Sequence, residues 1–280
     1  MDRARLATIT LVLAMTAACG DFALGQPPAE SLKVATYNIN WGDRDLEQVV
    51  ATIERADADI VCLQETTSKS EARIRRTLGK RYPQIHFQGH QGRFAAERFG
   101  FLSRHPIKRL SFLPPKHGLF GAYVAQVAVG DRNVQVVNVH LQPAILRRGG
   151  GVGQAFSALF AMEQTHKKEI AYVFERIEQD VPTLVLGDFN SLSTFQAPTF
   201  LKERGLVDSF AQVHEEPDSH FTWHWPLKYG QWSLRIDYIF HSPHFATRKS
   251  SVLRSKGSDH YLLTSTLSLL TEKPSQGAEQ

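Results

Sequence analysis

Acidic residues set directly beside apolar runs of strand length are the strongest constraint in this chain. Leu184-Val185-Leu186 leads into Gly187-Asp188-Phe189-Asn190, and Arg235-Ile236-Asp237 leads into Tyr238-Ile239-Phe240. In a third stretch, Ser258-Asp259-His260, an imidazole immediately follows a carboxylate. Carboxylates and an Asn are hard oxygen ligands suited to Mg²⁺ or Mn²⁺, ions usually held by one or two carboxylates together with substrate phosphate oxygens. An Asp-His pair near such an ion can orient an imidazole to act on phosphate or water. The combination points to metal-assisted cleavage of a phosphoester.

Length and composition permit this. The chain has 280 residues, and a two-sheet α/β domain absorbs about 240 without dividing. Hydrophobic residues at 42% and charged residues at 21% are ordinary globular values, which argues against disorder of the whole chain. A formal charge of +4 is weaker than the concentrated basic patch of a dedicated DNA binder.

Residues 1–25 read as a secretory signal: Arg3 and Arg5 form a positive start, and Leu6 to Ala18 is apolar apart from Thr8, Thr10 and Thr16. That run is too short for a membrane-spanning helix. Two processing routes are open. Cleavage after Ala23-Leu24-Gly25 gives a free secreted or periplasmic protein. Alternatively, Thr16-Ala17-Ala18-Cys19 resembles a bacterial lipobox, in which Cys19 is acylated and anchors the chain to a membrane. Thr16 stands where such boxes usually have Leu. Either route leaves Cys62 as the one remaining thiol, within Ile60-Val61-Cys62-Leu63, where it reads as a small core residue. The fold needs no disulfide.

Periodicity predicts a spacer over 26–31, then a first strand over Leu32–Ile39 and a helix over Asp45–Ala56. A buried strand follows at Ile60–Leu63 and a helix at Glu71–Leu78, with Gly79 as its C-cap. Strands are expected at Ile85–Phe87, Phe99–Leu102, Val124–Val129 and Val134–Leu141, the last two joined as a hairpin through Gly130-Asp131-Arg132-Asn133. After a glycine-rich basic stretch, Arg147–Gly153, comes a long helix from about Gln154 to Ile177. Strands near Leu184, Ile236–Phe240 and Leu262–Leu267 complete the domain, and the tail 272–280 is polar. Hairpins mixed with helix-linked strands argue for α/β architecture with largely antiparallel sheets. No glycine-rich nucleotide-binding motif is present.

Taken in order, Tyr37-Asn38-Ile39, Gln64-Glu65, Asn138-Val139-His140-Leu141, Gly187-Asp188-Phe189-Asn190, Arg235-Ile236-Asp237-Tyr238 and Ser258-Asp259-His260 resemble the endonuclease/exonuclease/phosphatase superfamily. Phe101-Leu102-Ser103-Arg104-His105-Pro106 resembles another of its recurring strand ends. The resemblance spans about Leu32 to Leu269, and any one of the motifs alone would be weak. It implies a domain over 32–271 with the DNase I-like fold, a four-layer α/β/β/α sandwich of two mainly antiparallel sheets. It also implies a divalent-metal hydrolase of phosphoesters, here with Mg²⁺ or Mn²⁺, whose site lies at one edge of the packed sheets; the chain is expected to act as a monomer. By position, Glu65 resembles the metal-binding glutamate, Asn38 its neighbouring metal or phosphate ligand, and Asp259 a residue assisting the metal or orienting a histidine. Asp188 and Asn190 resemble the pair that positions the attacking water and the phosphate. His260 resembles the histidine on the scissile phosphate. His140 resembles the acid for the leaving oxygen, with Asp237 as its carboxylate partner.

Each of these residues also has a plain structural reading. Asn38, Asp188 and Asn190 are common turn formers, and Asp237 beside Arg235 is compatible with a surface ion pair. One departure bears on substrate. Glu65 is followed by Thr66-Thr67-Ser68, without the arginine that clamps phosphate in pancreatic-type deoxyribonucleases, so Arg93, Arg98, Arg147 and Arg148 become the candidates for positive charge. Phe221-Thr222-Trp223-His224-Trp225 is suited either to core packing or to stacking on bases or lipid. An exported nuclease acting on DNA or RNA is the leading reading. A phospholipid or sugar-phosphate hydrolase of sphingomyelinase or inositol-phosphatase type, and a catalytically silent binding module, are the alternatives. The full set of acidic, Asn and His positions argues against the silent module. Mass spectrometry of the native protein should find the N-terminus near Gln26 or at an acylated Cys19; a cytosolic product retaining Met1 would refute export.

Overall fold

In the computed structural model the described residues are 30–42, 45–88, 98–144, 152–226 and 230–270. The expected signal segment with Cys19, the first part of the spacer, Arg93, Arg147, Arg148 and the tail 272–280 lie outside them.

The chain opens with β1 (Glu30–Asn38), α1 (Leu46–Ala56) and β2 (Ile60–Gln64). Asp45 caps α1 by accepting from the Gln48 amide, and Asp57 ends it in a left-handed conformation. The next helix, α2 (Ser68–Leu78), starts three residues earlier than its apolar spacing predicts, because Thr67 and Ser70 cap each other's backbone amides. Then come β3 (Gln84–Gln88), β4 (Phe99–Ser103), β5 (Ile107–Leu113), β6 (Ala122–Val129) and β7 (Arg132–His140). The long helix α3 (Val152–Phe174) leads to β8 (Thr183–Asp188), α4 (Gln196–Glu203) and β9 (Val207–Asp208). The last strands are β10 (Trp223–Pro226), β11 (Gln231–Leu234), β12 (Asp237–His241), β13 (Phe245–Leu253) and β14 (Leu262–Leu269).

Two six-stranded sheets result, ordered β13-β14-β1-β2-β4-β3 and β5-β6-β7-β8-β12-β9, with β10–β11 as a separate hairpin. Among the described residues only β1–β2 and β7–β8 pair in parallel, and each pair is joined by a helix crossover, through α1 and α3 respectively. The remaining pairs are antiparallel, as expected from the hairpin signals. Leu32, Val34, Ile60 and Cys62 of the first sheet pack against Val134, Val136, Leu184, Leu186 and Ile239 of the second. On the outer faces, Val49, Ile53, Ile74 and Leu78 of α1 and α2 cover the first sheet, and Ile170, Val173, Phe200 and Leu201 of α3 and α4 cover the second. This is the four-layer α/β/β/α arrangement.

The inner face changes character along each central strand. Side chains alternate across a strand, so every second residue faces the opposite sheet. On β1 the apolar series Leu32, Val34 continues as Thr36, Asn38; on β2, Ile60 and Cys62 give way to Gln64. On β7, Val134 and Val136 are followed by Asn138 and His140, and on β8, Leu184 and Leu186 by Asp188. At that end the sheets are joined by polar bonds. Asn138 Nδ2 donates to the carbonyls of Leu63 at 3.0 Å and Gly100 at 3.2 Å in the facing sheet, and its Oδ1 accepts from Gln64 Nε2 at 2.6 Å. Gln64 Nε2 also donates to Thr36 Oγ1 at 3.0 Å. Close approach of β7 and β8 requires Gly187: at its φ of +151° a Cβ would stand 1.9 Å from the Val139 carbonyl oxygen. Replacing Asn138 with Ala strips partners from three buried groups, so unfolding in urea should show a loss of about 3 kcal/mol. A loss below about 1 kcal/mol would contradict this account of the inter-sheet bonds.

Candidate active site

The predicted site residues all emerge at that one edge. Asn38 ends β1, Glu65 follows β2, His140 ends β7, Asp188 ends β8, Asp237 begins β12, and Asp259-His260 lie just before β14. Because β1 and β2 run parallel in one sheet and β7 and β8 in the other, while β14 and β12 run against them, four strand ends and two strand beginnings coincide. Register aligns His140 with Asp188 and Asp188 with Asp237, a row of three residues across neighbouring strands.

Hydrogen bonds tie this row to the facing sheet. Asn38 Nδ2 donates to Asp188 Oδ2 and to Glu65 Oε1, both at 3.0 Å, bridging the two sheets at the site itself. Asn38 Oδ1 accepts from the Asn40 amide at 3.0 Å, and Asn40 Nδ2 donates to Asp259 Oδ1 at 2.6 Å. Asn38, Glu65 and Asp259, the expected metal residues, thus belong to one chain of bonds that runs through Asn40. His260 Nδ1 lies 2.9 Å from Asp237 Oδ2, and its Nε2 lies 3.6 Å from Asp188 Oδ2. His140 Nε2 lies 3.7 Å from Asp188 Oδ2 and 3.8 Å from Glu65 Oε1, with its ring stacked on Phe120 at 4.1 Å. This corrects one expected pairing: Asp237 partners His260, whereas the carboxylates facing His140 are Asp188 and Glu65. The cause is register, since β12 sits beyond β8 and Asp188 intervenes between Asp237 and His140.

Arg235 does not pair with its neighbour Asp237 either. It is buried between Asp208 and Asp218, each 2.8 Å away, and lies over the Tyr238 ring. The Tyr238 hydroxyl in turn donates to the carbonyls of Ser191 and Arg235, which ties the Asn190 loop to the start of β12. Asn190 N donates to Asp188 Oδ1 at 2.8 Å, and Asn190 Nδ2 donates to the Leu141 carbonyl at 3.0 Å. Of the candidate phosphate arginines only Arg98 is described. It is committed to α2, bonding Glu71 and Ser68, while its carbonyl accepts from Thr66 N.

Four further residues build the site: sequence reasoning passed over Asn40, and it named Ser258, Thr222 and Trp223 only within larger motifs, without a role at the site. Ser258 Oγ donates to the Asn38 carbonyl at 2.8 Å and accepts from His260 N at 3.1 Å. Thr222 Oγ1 accepts from the amides of Ile236 and Asp237, and the Trp223 ring lies 6.5 Å from that of His260. Asn40 carried a signal in its spacing, two residues beyond Asn38. Thr222 and Trp223 stood out as part of an aromatic cluster, but nothing local placed them at the site, because the β10–β11 hairpin reaches the edge only in three dimensions. Three site residues other than glycine, Asn40, Glu65 and Asn190, have left-handed backbones with φ of 60°, 56° and 48°. Such conformations cost about 1–3 kcal/mol each and persist only where surrounding bonds over-determine them.

The electrostatics favour a cation. Four carboxylates, Glu65, Asp188, Asp237 and Asp259, crowd two imidazoles. Burial pushes the carboxyls of Glu65 and Asp188 above the usual range, with the Asp237 charge adding at Asp188. For His260, burial alone would lower the pKa, but the charges of Asp237 and Asp188 prevail and raise it to about 10. One buried carboxylate oxygen, Asp237 Oδ1, has no hydrogen-bond partner among the described residues. Asp188, Asp237 and, when its imidazole is neutral, His260 can each offer an atom within 4.8 Å of the others. Excess negative charge, hard oxygens and an orphaned carboxylate oxygen fit Mg²⁺ or Mn²⁺.

Comparison with known proteins agrees with this geometry. The model of the Endonuclease/Exonuclease/phosphatase family matches residues 35–260. D. rerio TDP2 complexed with a single-strand DNA product aligns with a TM-score of 0.66 at 16% identity, over 85% of this chain and 98% of that one. An endonuclease/exonuclease/phosphatase from Beutenbergia cavernae DSM 12333 gives 0.61 at 21% identity, over 86% and 72%. A family protein from Bacteroides thetaiotaomicron gives 0.63 at 18%, over 85% and 94%. At such identities the likeness speaks for the DNase I-like fold. No curated protein sequence matches the chain.

The raised pKa of His260 makes a prediction about stability. A base whose folded pKa lies above its unfolded value of 6.5 stabilises fully below 6.5, and that contribution is lost as pH rises towards 10. Without metal, the melting temperature should therefore fall between pH 7 and 10, and Asp237→Asn, which removes the largest of the charges that raise the pKa against burial, should flatten that slope. An unchanged slope in Asp237→Asn would show that Asp237 does not hold His260 protonated.

Proposed function

The chain belongs to the Endonuclease/Exonuclease/phosphatase family, a family of phosphoester hydrolases, and from that premise we propose that it is an exported Mg²⁺- or Mn²⁺-dependent phosphodiesterase acting on DNA or RNA. The observation that carries the reading is the row His140–Asp188–Asp237 facing Asn38 and Glu65, with His260 locked onto Asp237. Nucleic acid is favoured over lipid by the structural likeness to TDP2 complexed with single-strand DNA product. Export rests on the character of residues 1–25.

Glu65, supported by Asn38 and by Asp259 through Asn40, would hold the metal ion. When bound, it offsets the charge that develops on the phosphoryl oxygens. Asp188 accepts the proton of the attacking water. Its raised pKa makes it a better base than an ordinary carboxylate, and the bonds from Asn38 and Asn190 fix its direction. His260, held protonated by Asp237, presents its Nε2 side to a phosphoryl oxygen as a fixed positive donor. His140 gives a proton to the leaving oxygen from the floor of the site. Asn190 holds the Leu141 carbonyl and so fixes the turn that follows His140.

EDTA should abolish activity, and Mg²⁺ or Mn²⁺ should restore it. His140→Ala and His260→Ala should each lose about 10²-fold in turnover or more. A nitrophenyl phosphodiester, whose leaving group needs little protonation, should rescue His140→Ala but not His260→Ala. Equal rescue of both would invalidate this division of roles. Assay against single-stranded DNA, RNA, sphingomyelin and nitrophenyl phosphoesters tests the substrate, and turnover of sphingomyelin alone would overturn the nuclease reading.

A further inference from the structure

Two buried ionisable side chains take no part in the chemistry above. His166 and Glu169 stand three residues apart on α3, on one face of the helix, and both are turned to the backbone of a single residue. His166 Nε2 lies 2.7 Å from the Gln142 carbonyl oxygen. The Glu169 carboxylate accepts from the Gln142 amide, which lies 3.2 Å from each of its oxygens. Gln142 is two residues past His140, where the chain has left β7 and its backbone groups have no ladder partner.

Glu169 also touches a second segment. It packs directly on Gly118, so closely that a Cβ there would fall on its carboxylate. Two residues on, Phe120 lies face to face with the His140 ring, at 4.1 Å and an interplanar angle of 13°. The segment bearing the stacking ring and the segment leaving His140 are therefore both braced by Glu169. Between them, Leu141 N donates to the Asp188 carbonyl and the Leu141 carbonyl accepts from Asn190. Each step of the backbone around His140 is held. Burial works against both α3 groups, raising the Glu169 carboxyl to about 8 and lowering the His166 imidazole. An apolar pair would fill the same space without that cost, but it would leave the amide and carbonyl of Gln142 unsatisfied.

We infer that His166 and Glu169 are positioning residues that set the His140 ring against Asp188 and Glu65, acting through the Gln142 backbone and the Phe120 loop. The inference rests on the reading of His140 as a catalytic group, so that the outer helix α3 tunes the chemical step rather than substrate binding.

The test compares kinetics on an alkyl-leaving phosphodiester and a nitrophenyl phosphodiester for Glu169→Ala, Glu169→Gln, Gly118→Ala, His140→Ala and the Glu169→Ala/His140→Ala double variant. Glu169→Ala should lower kcat on the alkyl substrate by about 10- to 10²-fold, with KM nearly unchanged. The loss should shrink on the nitrophenyl substrate. Glu169→Gln, which keeps an oxygen for the Gln142 amide, should recover most of the activity. The double variant should be no slower than His140→Ala alone. Gly118→Ala displaces the carboxylate without removing it and should reproduce the leaving-group signature, which keeps the test decisive if Glu169→Ala does not fold. Additive losses in the double variant, or a folded Gly118→Ala with full activity, would overturn the inference while leaving His140 as a catalytic group. Full activity of His140→Ala would instead refute the reading on which the inference stands.

Discussion

The site depends on one buried contact, the side chain of Asn138 reaching from the second sheet to the first. Two β-sheets packed through apolar side chains can slide, because the hydrophobic effect is non-directional. Hydrogen bonds from Asn138 to the carbonyls of Leu63 and Gly100, and from Gln64 to Asn138, remove that freedom at the end where it matters. Gln64 immediately precedes Glu65, and Asn138 stands two residues before His140 on the same strand face. A shift of the sheets would break these bonds and pull Glu65 away from His140 and Asp188. Asn38 then repeats the device one layer further out, with one amide nitrogen shared between Glu65 and Asp188.

Above those two layers the arrangement stores electrostatic and conformational cost. Glu65, Asn40 and Asn190 keep left-handed backbones, and buried carboxylates crowd together around His260 and His140. Such features are tolerated where the surrounding structure fixes them. Here the strand register, the inter-sheet bonds and the capped turns supply that rigidity, and a bound cation together with a phosphate would relieve the charge. A preorganised site of this kind needs little rearrangement when charge develops in the reaction.

The placement of the helices follows the same logic. α1 and α3 are the crossovers that make the two parallel strand pairs possible, and those pairs deliver Asn38 beside Gln64 and His140 beside Asp188. α3 contributes twice, burying Ile170 and Val173 against the second sheet and fixing the Gln142 backbone through His166 and Glu169. Covering a sheet and holding a loop are separate tasks that one helix face performs.

Much of this was legible in the chain itself. Hairpin turns, apolar runs and helical spacing set the α/β class, and the order of short polar motifs at strand ends picked out the residues that meet at the edge. What escaped notice included whole elements as well as contacts: the short helix α4, the strand β9 and the β10–β11 hairpin were not anticipated, and neither were two longer strands. The elements β5 and β13, both sheet-edge strands, carry charged residues that blur period-two alternation, since an edge strand meets only one neighbour and is open to water. The partners inside the site escaped because they depend on register and on contacts distant in sequence. That Asp237 holds His260 rather than His140, that Arg235 turns inward to Asp208, and that Thr222 and Trp223 border the site are facts of which strands lie side by side. The local sequence determines which side chains arrive at a strand end and which face they take, because alternation is a property of a single strand. Which of them touch is decided by the tertiary structure, because hydrogen bonds and ion pairs act over a few ångströms and only packing brings residues far apart in the chain within that range.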